Sequence, residues 1–555
     1  MEHKGGQAAT GLRWSSLTVI AVLIAVLIAA PVLSVFSNVF AGGTSETWAH
    51  LSETVLGEFV FNTVVLCIGV GLGVASIGIT TAWLTTMLDF PGRRFFEWAL
   101  VLPMAMPAYV MAYVYTDFLQ FVGPVQTGLR EFFGWRAGDY WFPDVRTVGG
   151  AVAMFMFVLY PYTYMLVRAA FLERAGGMLE AGRSLGLGPW RCFFRVSLPL
   201  ARPAVVGGTA LALMETLADF GTVSYFGVQT FTTGIYRAWF SLGDRIAAAQ
   251  LSAALLAFVV IVLSLEHATR GRARFNNTSR QQAAPARRRL SPMMGLLAAF
   301  ACFMPLLLGF LLPAGLLLQM AFAEGDAQFG PRFFQLARNS FVLAAVTAVL
   351  AVALALVLAY AARLARSAVP RALNRVVGLG YAVPGSVIAV GVLIPVTRLD
   401  AWLAQTWQAL FDVNPGLVLT GGIAALVYAY LARFLAVALH AVDASLGKIT
   451  SSMDDAARSL GFGKWATLRS VHVPILRGSL LSAALLVFVD VMKELPATLV
   501  IRPFNFDTLA TQAHTLASDE RLTEASTAAL MIVAVGLLPM ILISRQILKS
   551  GRRSN

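Results

Sequence analysis

The sequence is poor in charged residues and in cysteine. Asp, Glu, Lys and Arg make up 13% of its 555 residues, and hydrophobic residues make up 58%, whereas soluble domains have about 25% charged residues. The three cysteines, Cys67, Cys192 and Cys302, are widely spaced and form no CxxC pair, which argues against a disulfide framework or a zinc site. The six histidines are scattered without metal-ligand spacing. These absences argue against a soluble metalloenzyme and indicate a membrane protein.

Long apolar runs are what the sequence has in abundance. A spanning helix needs about 20 mainly apolar residues, and the absence of long alternating runs excludes barrel strands. The predicted fold class is therefore an all-α polytopic membrane protein with about twelve transmembrane helices. The predicted spans are 17–37, 60–84, 96–116, 148–170, 200–222, 247–266, 293–321, 340–364, 375–396, 417–440, 475–499 and 525–547.

The distribution of Lys and Arg predicts the orientation. With both termini cytoplasmic, the inner segments and adjoining helix ends hold about 30 of the 42 Lys and Arg residues, as the positive-inside rule expects. The net charge of +13 therefore reflects topology, and no nucleic-acid partner is expected.

The chain repeats its own plan. RSLGLGPW at 183–190 returns as RSLGFGKW at 458–465, and AMP at 105–107 is matched by AVP at 382–384. Each half has six predicted spans, so the halves share one orientation, as in a fused parallel repeat. The predicted domains are 1–266 and 293–555, joined by a polar, arginine-rich cytoplasmic linker over 267–292.

Each repeated octet lies in the inner loop between the fourth and fifth spans of its half. The full stretches are EAGRSLGLGPWRCFFRVSLP (180–199) and DAARSLGFGKWATLRSVHVP (455–474). In the first, the pattern predicts a short helix over about 178–185 that Gly186 ends in a left-handed cap. The chain restarts at Gly188-Pro189, and Pro199 closes the element before the fifth span.

These two stretches resemble the cytoplasmic EAA loop of ABC importer permeases, and we call them the first and second EAA-like loops. The positions that match the family pattern are Glu180, Ala181, Gly182, Gly186 and Pro199 in the first, and Asp455, Ala456, Ala457, Gly461 and Pro474 in the second. Gly182 replaces an alanine and Asp455 replaces a glutamate.

The resemblance implies a MetI-like fold and a set of partners. Each loop would dock on one of two copies of a cytoplasmic ATPase, with Glu180 and Asp455 meeting basic groups and Gly186 and Gly461 setting the bend. ATP and Mg²⁺ would bind to that ATPase and no cofactor to this chain. An external or periplasmic binding protein would deliver substrate, and the chain would lie among the lipids of the bacterial inner membrane.

Two further stretches, METLADFGTVSYFG (214–227) and DVMKELPATLVIRPFNFDTLAT (490–511), resemble ferric-iron importer permeases. Related permeases carry thiamine, sulfate, molybdate, polyamines or phosphonates, and these substrates remain alternatives. A secondary transporter driven by an ion gradient is the alternative from another class. GFGKW (461–465) lacks the first glycine and the Ser or Thr of a phosphate loop, so the chain is not expected to be an enzyme.

Four acidic residues fall within the two fifth spans: Glu215 and Asp219, then Asp490 and Glu494. The spacing of four residues puts each pair on one helix face, and acids inside a membrane are costly unless paired or hydrated. One hypothesis is that they line the pathway of a hard cation, which prefers oxygen ligands. The alternative is that they cap broken helix ends, are hydrated in an outer vestibule, or pair locally with residues such as Lys493. No metal ligand set is assigned.

Overall fold

The computed structural model describes residues 16–42, 45–184, 188–270, 287–322, 329–365 and 368–552, and these are almost entirely helical. The first half contains α1 (Ser16–Ser37), α2 (Ser45–Thr54), α3 (Leu56–Met87), α4 (Arg93–Ala99), α5 (Ala108–Leu119), α6 (Pro124–Phe133), α7 (Val148–Ser184), α8 (Pro189–Cys192), α9 (Leu198–Ala218), α10 (Gly221–Tyr225), α11 (Phe231–Tyr236) and α12 (Arg245–Arg270). The second half contains α13 (Pro292–Leu306), α14 (Leu312–Phe322), α15 (Pro331–Leu364), α16 (Val369–Gly378), α17 (Gly385–Phe411), α18 (Ala424–Leu446), α19 (Ser451–Ser459), α20 (Lys464–Thr467), α21 (Val473–Met492), α22 (Pro496–Ile501), α23 (Leu509–Ser518) and α24 (Leu522–Arg552).

Two short strands join the predicted linker to the first half. Strand β1 (Leu88–Asp89) pairs in parallel with β2 (Arg288–Arg289), and Arg287 lies 3.9 Å from the Glu97 carboxylate. Residues 267–270 continue α12, and residues 271–286, the middle of the predicted linker, lie outside the described residues. The end of the linker is therefore held against β1 and α4 of the first half.

Eleven helical stretches in the described part of the chain are long and apolar enough to cross a membrane, or twelve if one bent pair counts as a span. This confirms the predicted all-α polytopic fold. The bent pair corrects the third predicted span, 96–116, because Arg93–Ala105 and Ala108–Phe133 meet at 91°. The residue before a proline is driven to extended backbone, and Met106 before Pro107 has φ −91° and ψ 115°.

The fifth spans also differ from their prediction. Pro199 was expected to close the first loop element, but α8 runs on into α9 through a π-helical turn at Phe193–Ser197. In the second half α20 runs on into α21 in the same way, through Leu468–His472. A proline has no N–H to donate, and its ring crowds the carbonyl four residues earlier. The wider π turn before each proline relieves this crowding. The spans then end at Ala218 and Met492, several residues before the predicted 222 and 499.

The first EAA-like loop begins differently from its prediction. The expected separate helix over 178–185 is the end of α7, which runs without a break from Val148 to Ser184. Nothing in 171–184 is a helix breaker apart from glycine, and an isolated glycine inside a helix costs only about 1 kcal/mol. The fourth span therefore extends as one rigid helix into the loop.

The first helix of each half packs against the other half. Pro31 in α1 has no N–H for the Leu27 carbonyl four residues earlier, and the Tyr428 hydroxyl of α18 donates to that carbonyl at 2.6 Å. A π turn at Leu307–Leu311 shifts the pairing in the second half to five residues, so Pro313 leaves the Leu308 carbonyl free. The Tyr115 hydroxyl of α5 donates to it at 2.6 Å. The two halves are thus interlocked, with matching devices on each side.

Candidate functional site

The four acidic residues of the fifth spans meet at the interface between the halves. Glu215 lies in the last turn of α9 and Asp490 in the last turn of α21, and Asp219 and Glu494 follow just after these helices. All four line one cavity of about 110 Å³, which we call the central cavity. The helix breaks between α9 and α10 and between α21 and α22 create this arrangement. At each break the chain changes direction close to the second acid of the pair, Asp219 or Glu494.

Asp219 and Glu494 cap the short helices that follow them. The Asp219 carboxylate accepts from the Thr222 backbone N–H at 2.8 Å and from its hydroxyl at 3.2 Å. Glu494 accepts from the backbone N–H groups of Ala497 and Thr498 at 3.0 and 3.1 Å. Free N–H groups and the helix dipole stabilise a carboxylate at a helix start. The capping alternative therefore describes this second acid of each pair.

Glu215 and Asp490, the first acid of each pair, face basic side chains, as Glu494 also does. Arg433 of α18 lies 4.0 Å from Glu215 across the interface and 3.4 Å from Glu494. Lys493 lies 3.0 Å from Asp490, so its partner is not the adjacent Glu494 suggested by sequence. Sequence reasoning missed Arg433, although a lone arginine inside the predicted span 417–440 is the kind of buried charge that marks a functional position.

A larger cavity adjoins the central cavity on the side of the EAA-like loops. It has a volume of about 600 Å³, and its lining includes Gly207 of α9, His440 of α18 and Glu266 of α12. Met104, Tyr162, Tyr381, Asp490 and Lys493 line both cavities. The acidic site is therefore approached from the loop side, and we call this space the loop-side cavity.

Aromatic side chains from both halves close the opposite side. The Tyr113 hydroxyl is 2.7 Å from Nδ1 of His514, and the rings of Phe220 and Tyr236 stack with centroids 3.7 Å apart. The Tyr236 hydroxyl donates to the carbonyl of Pro496 across the interface. Tyr113, Phe220 and Tyr236 are each less than 10% exposed. We call these four residues the aromatic layer, and together with the loop-side cavity they define a conformation that is closed on the far side.

The second EAA-like loop has the predicted bend. Helix α19 ends at Ser459, and Gly461 has φ 82°, a left-handed conformation that glycine adopts without strain. Asp455 and Ala456 are exposed and Ala457 is buried. Asp455 pairs with Arg458 of its own helix. Pro474 is exposed in the first turn of α21.

The first EAA-like loop is described only in part. Glu180, Ala181 and Gly182 belong to the end of α7, but their side chains lie outside the described residues, as does Gly186 altogether. Pro199 stands in the first turn of α9 and is exposed. The docking role of both loops remains a prediction.

Sequence reasoning missed the group that holds α19 against the membrane domain. The Asp454 carboxylate accepts from Arg363 of α15 at 2.8 Å and lies 2.7 Å from Nε2 of His472 in the π turn. Arg363 also donates to the carbonyls of Leu446 and Ile449 at 2.8 and 3.0 Å. The loop is therefore fastened to two spans at once, and we call Arg363, Asp454 and His472 the loop clasp. Asp454 directly precedes the second EAA-like loop, and its position next to Asp455 is the signal in the sequence that could have identified it.

The described residues contain no group of three or more His, Cys, Asp or Glu side chains arranged to hold a metal ion. In this conformation Asp219 and Glu494 cap helices, and Glu215, Asp490 and Glu494 face basic groups.

Comparison with known proteins finds a family model and several transport permeases that resemble this chain. A family model described as "Binding-protein-dependent transport system inner membrane component" matches residues 74–267. The Fe(3+)-transport system permease protein FbpB 2 of Haemophilus influenzae is 26% identical over 538 residues, which are 96% of this chain and 98% of that protein. The putative ferric transport system permease protein FbpB 1 of the same organism is 23% identical over 516 residues, 88% of this chain and 77% of that protein.

A shorter relative matches with higher identity. The molybdenum transport system permease protein ModB of Escherichia coli strain K12 is 32% identical over 195 residues, which are 34% of this chain and 81% of that protein.

Proposed function

The chain belongs to the family of binding-protein-dependent transport system inner membrane components, and on this premise we propose that it imports ferric iron. It is a multi-pass inner-membrane permease of an ABC importer, related to ferric transport permeases over nearly its whole length. In the proposal, an external binding protein delivers iron to the far side of the aromatic layer and the metal leaves through the loop-side cavity.

The observation that carries the choice of substrate is the central cavity. Four carboxylates from both halves line it, and carboxylate oxygens are the ligands that hard cations prefer. The match to ferric permeases over both halves supports the same choice. The shorter match to the molybdenum permease accounts for only a third of this chain.

The same proposal assigns the work of the EAA-like loops. Two copies of a cytoplasmic ATPase would bind ATP and Mg²⁺ and press on the two loops, of which the second is rigidly fastened by the loop clasp. Tilting of one half against the other would then open the aromatic layer. Both termini would be cytoplasmic, in agreement with the distribution of Lys and Arg.

Transport of an oxyanion is the second candidate. Arg433 and Lys493 also line the central cavity, and guanidinium and ammonium groups bind oxyanions well. Relatives described as molybdenum and sulfate transport permeases match a third or more of the chain.

Uptake by proteoliposomes tests both candidates. The full chain is reconstituted with a co-purified candidate ATPase and a ferric-binding protein, and radioactive iron uptake is measured with ATP and with ADP. We expect ATP to raise iron uptake about tenfold or more, with no uptake of molybdate or sulfate under the same conditions. Uptake of molybdate would favour the oxyanion candidate. Iron uptake that follows an ion gradient without ATP would contradict the importer mechanism.

A further inference from the structure

Arg433 and Lys493 have a position that the proposed transport of iron leaves unexplained. Besides the four acids, they are the charged residues that line the central cavity, which leaves the lining with a formal charge of −2. An entering Fe³⁺ would be repelled by both. A cavity evolved only to attract cations has no use for two fixed cations, so their presence calls for a separate role.

Burial supplies one part of that role. Glu494 is 4% exposed and Arg433 is 7% exposed, and a buried charge without a partner is strongly destabilising. When no cargo is present, carboxylates as buried as that of Glu494 need a positive charge nearby. Arg433 and Lys493 supply that charge in the empty state.

The geometry shows that Arg433 is held loosely. Its nitrogens are 3.4 Å from Glu494 and 4.0 Å from Glu215, whereas a charge-assisted N–H···O bond is about 2.7–2.9 Å long. Its Nε is buried without a hydrogen-bond partner. A guanidinium in this position balances two carboxylates without forming the bidentate pair that would lock either of them, so it is easily displaced.

The bases are also placed asymmetrically. The acids come from both halves, but Arg433 and Lys493 both come from the second half, and the position equivalent to Lys493 is Ala218. A movement of the second half against the first would therefore withdraw Arg433 from Glu215 while leaving Glu215 on α9. Such a movement leaves the Glu215 carboxylate free to bind cargo in one conformation and paired with Arg433 in the other, and alternating access requires such a difference between the two conformations.

We propose that Arg433 and Lys493 are resident counter-cations of the central cavity, which occupy its carboxylates when cargo is absent and yield them to a hard metal cation in transit. This inference rests on the proposed function in that it takes the cargo to be a cation. The exchange keeps the empty site from trapping metal and lets the metal leave when the bases return.

Equilibrium binding of Tb³⁺ to the purified full chain tests the exchange without requiring transport. Tb³⁺ is a trivalent, oxygen-seeking probe, and Tyr162 and Tyr381 in the cavity wall sensitise its luminescence. We expect the R433Q/K493M double variant to bind Tb³⁺ about tenfold or more tightly than the unmodified chain, because two repelling charges are gone. Adding E215Q and D490N should cancel the gain. Arg502→Gln, which removes a positive charge outside the cavity, is the matched control and should bind as the unmodified chain does.

Three outcomes overturn the proposal: unchanged Tb³⁺ affinity in the double variant, a gain that survives loss of Glu215 and Asp490, or molybdate binding to the unmodified chain that the double variant loses. If the double variant fails to fold, Lys493→Met alone is used, since methionine keeps most of the packing of this side chain, which is 30% exposed, and the same comparisons apply. Because binding is measured on the isolated chain, failed iron uptake would contradict the proposed function and leave the exchange standing.

Discussion

Single residues of the central cavity have two distinct tasks, although sequence spacing makes the four acids look alike. Asp219 and Glu494 accept hydrogen bonds from helix starts, and Glu494 also faces Arg433. Glu215 and Asp490 face Arg433 and Lys493. The sequence predicted that the acids share a helix face and recur in both halves. It did not separate capping from exposure to the cavity, because that depends on a helix break one turn later.

This division predicts different effects for two conservative substitutions. Glu494→Gln should lower the unfolding free energy by about 1.5–3 kcal/mol, since a buried charge-assisted cap is lost. Glu215→Gln should lower it by less than Glu494→Gln does, because Arg433 keeps Glu494 as its nearer partner, and yet should lower iron uptake. Thermal unfolding in detergent and proteoliposome uptake measure the two effects. Equal destabilisation by both substitutions would contradict the division.

One hydrogen bond in the aromatic layer joins the two halves directly. Tyr113→Phe removes the bond to His514 and keeps the ring. A net hydrogen bond is worth about 0.5–1.5 kcal/mol, so the population open on the far side should rise about two- to tenfold. The measurement is transport in the absence of binding protein, which should increase. Tyr225→Phe is the control, because its ring contacts Tyr113 but its hydroxyl faces Arg146. Unchanged leak in Tyr113→Phe would exclude this bond as part of the closure.

At the scale of elements, one residue, Asp454, holds α19 at the start of the second EAA-like loop against the spans. Asp454 receives hydrogen bonds from Arg363 and pairs with His472, which is fully buried. Asp454→Asn should lower the local stability of α19 by about 1.5–3 kcal/mol and separate ATP hydrolysis from transport. Hydrogen exchange of α19 and the ratio of ATP hydrolysed to substrate moved measure this. Asp455→Asn, one residue along and exposed, should leave hydrogen exchange of α19 unchanged, and equally faster exchange in both variants would contradict the clasp.

Element boundaries show where sequence reasoning reached its limit. Hydropathy predicted the existence of the spans and their order. The left-handed cap was predicted at Gly186, which lies outside the described residues, and the equivalent Gly461, for which the resemblance implied a bend, has φ 82°. The interpretation of Pro199 as a closing residue was wrong, because the helix continues through a π turn placed before the proline. Such a turn has no signature in composition. The predicted ends at 222 and 499 were too late, since apolar residues continue past the carboxylates that cap the next helices.

For the whole molecule, the repeat at an offset of about 275 residues predicted two halves of the same plan, but not that they exchange their first helices. An apolar helix has no surface pattern that tells one apolar neighbour from another. The distinguishing features are Pro31 and Pro313, each of which leaves an earlier carbonyl of its helix without a helical N–H donor. Tyrosines of the other half donate to these carbonyls, and they lie hundreds of residues away in the sequence. The division into domains at 267–292 stays a prediction.

Interlocking of the halves can be tested by dividing the chain within 271–286 and co-expressing the two parts. Because α1 packs against the second half, and the span formed by α13 and α14 contacts α3, α4 and α5 of the first, the parts should purify together. Gly391→Leu should prevent this, since even a Cβ at Gly391 would lie 2.2 Å from the Pro31 carbonyl oxygen. Gly478→Leu, where an added Cβ meets nothing within 4 Å, is the matched control. Copurification that Gly391→Leu leaves intact would show that α1 is not held where the structure has it, and the coupled tilting of the halves would then lack its mechanical connection.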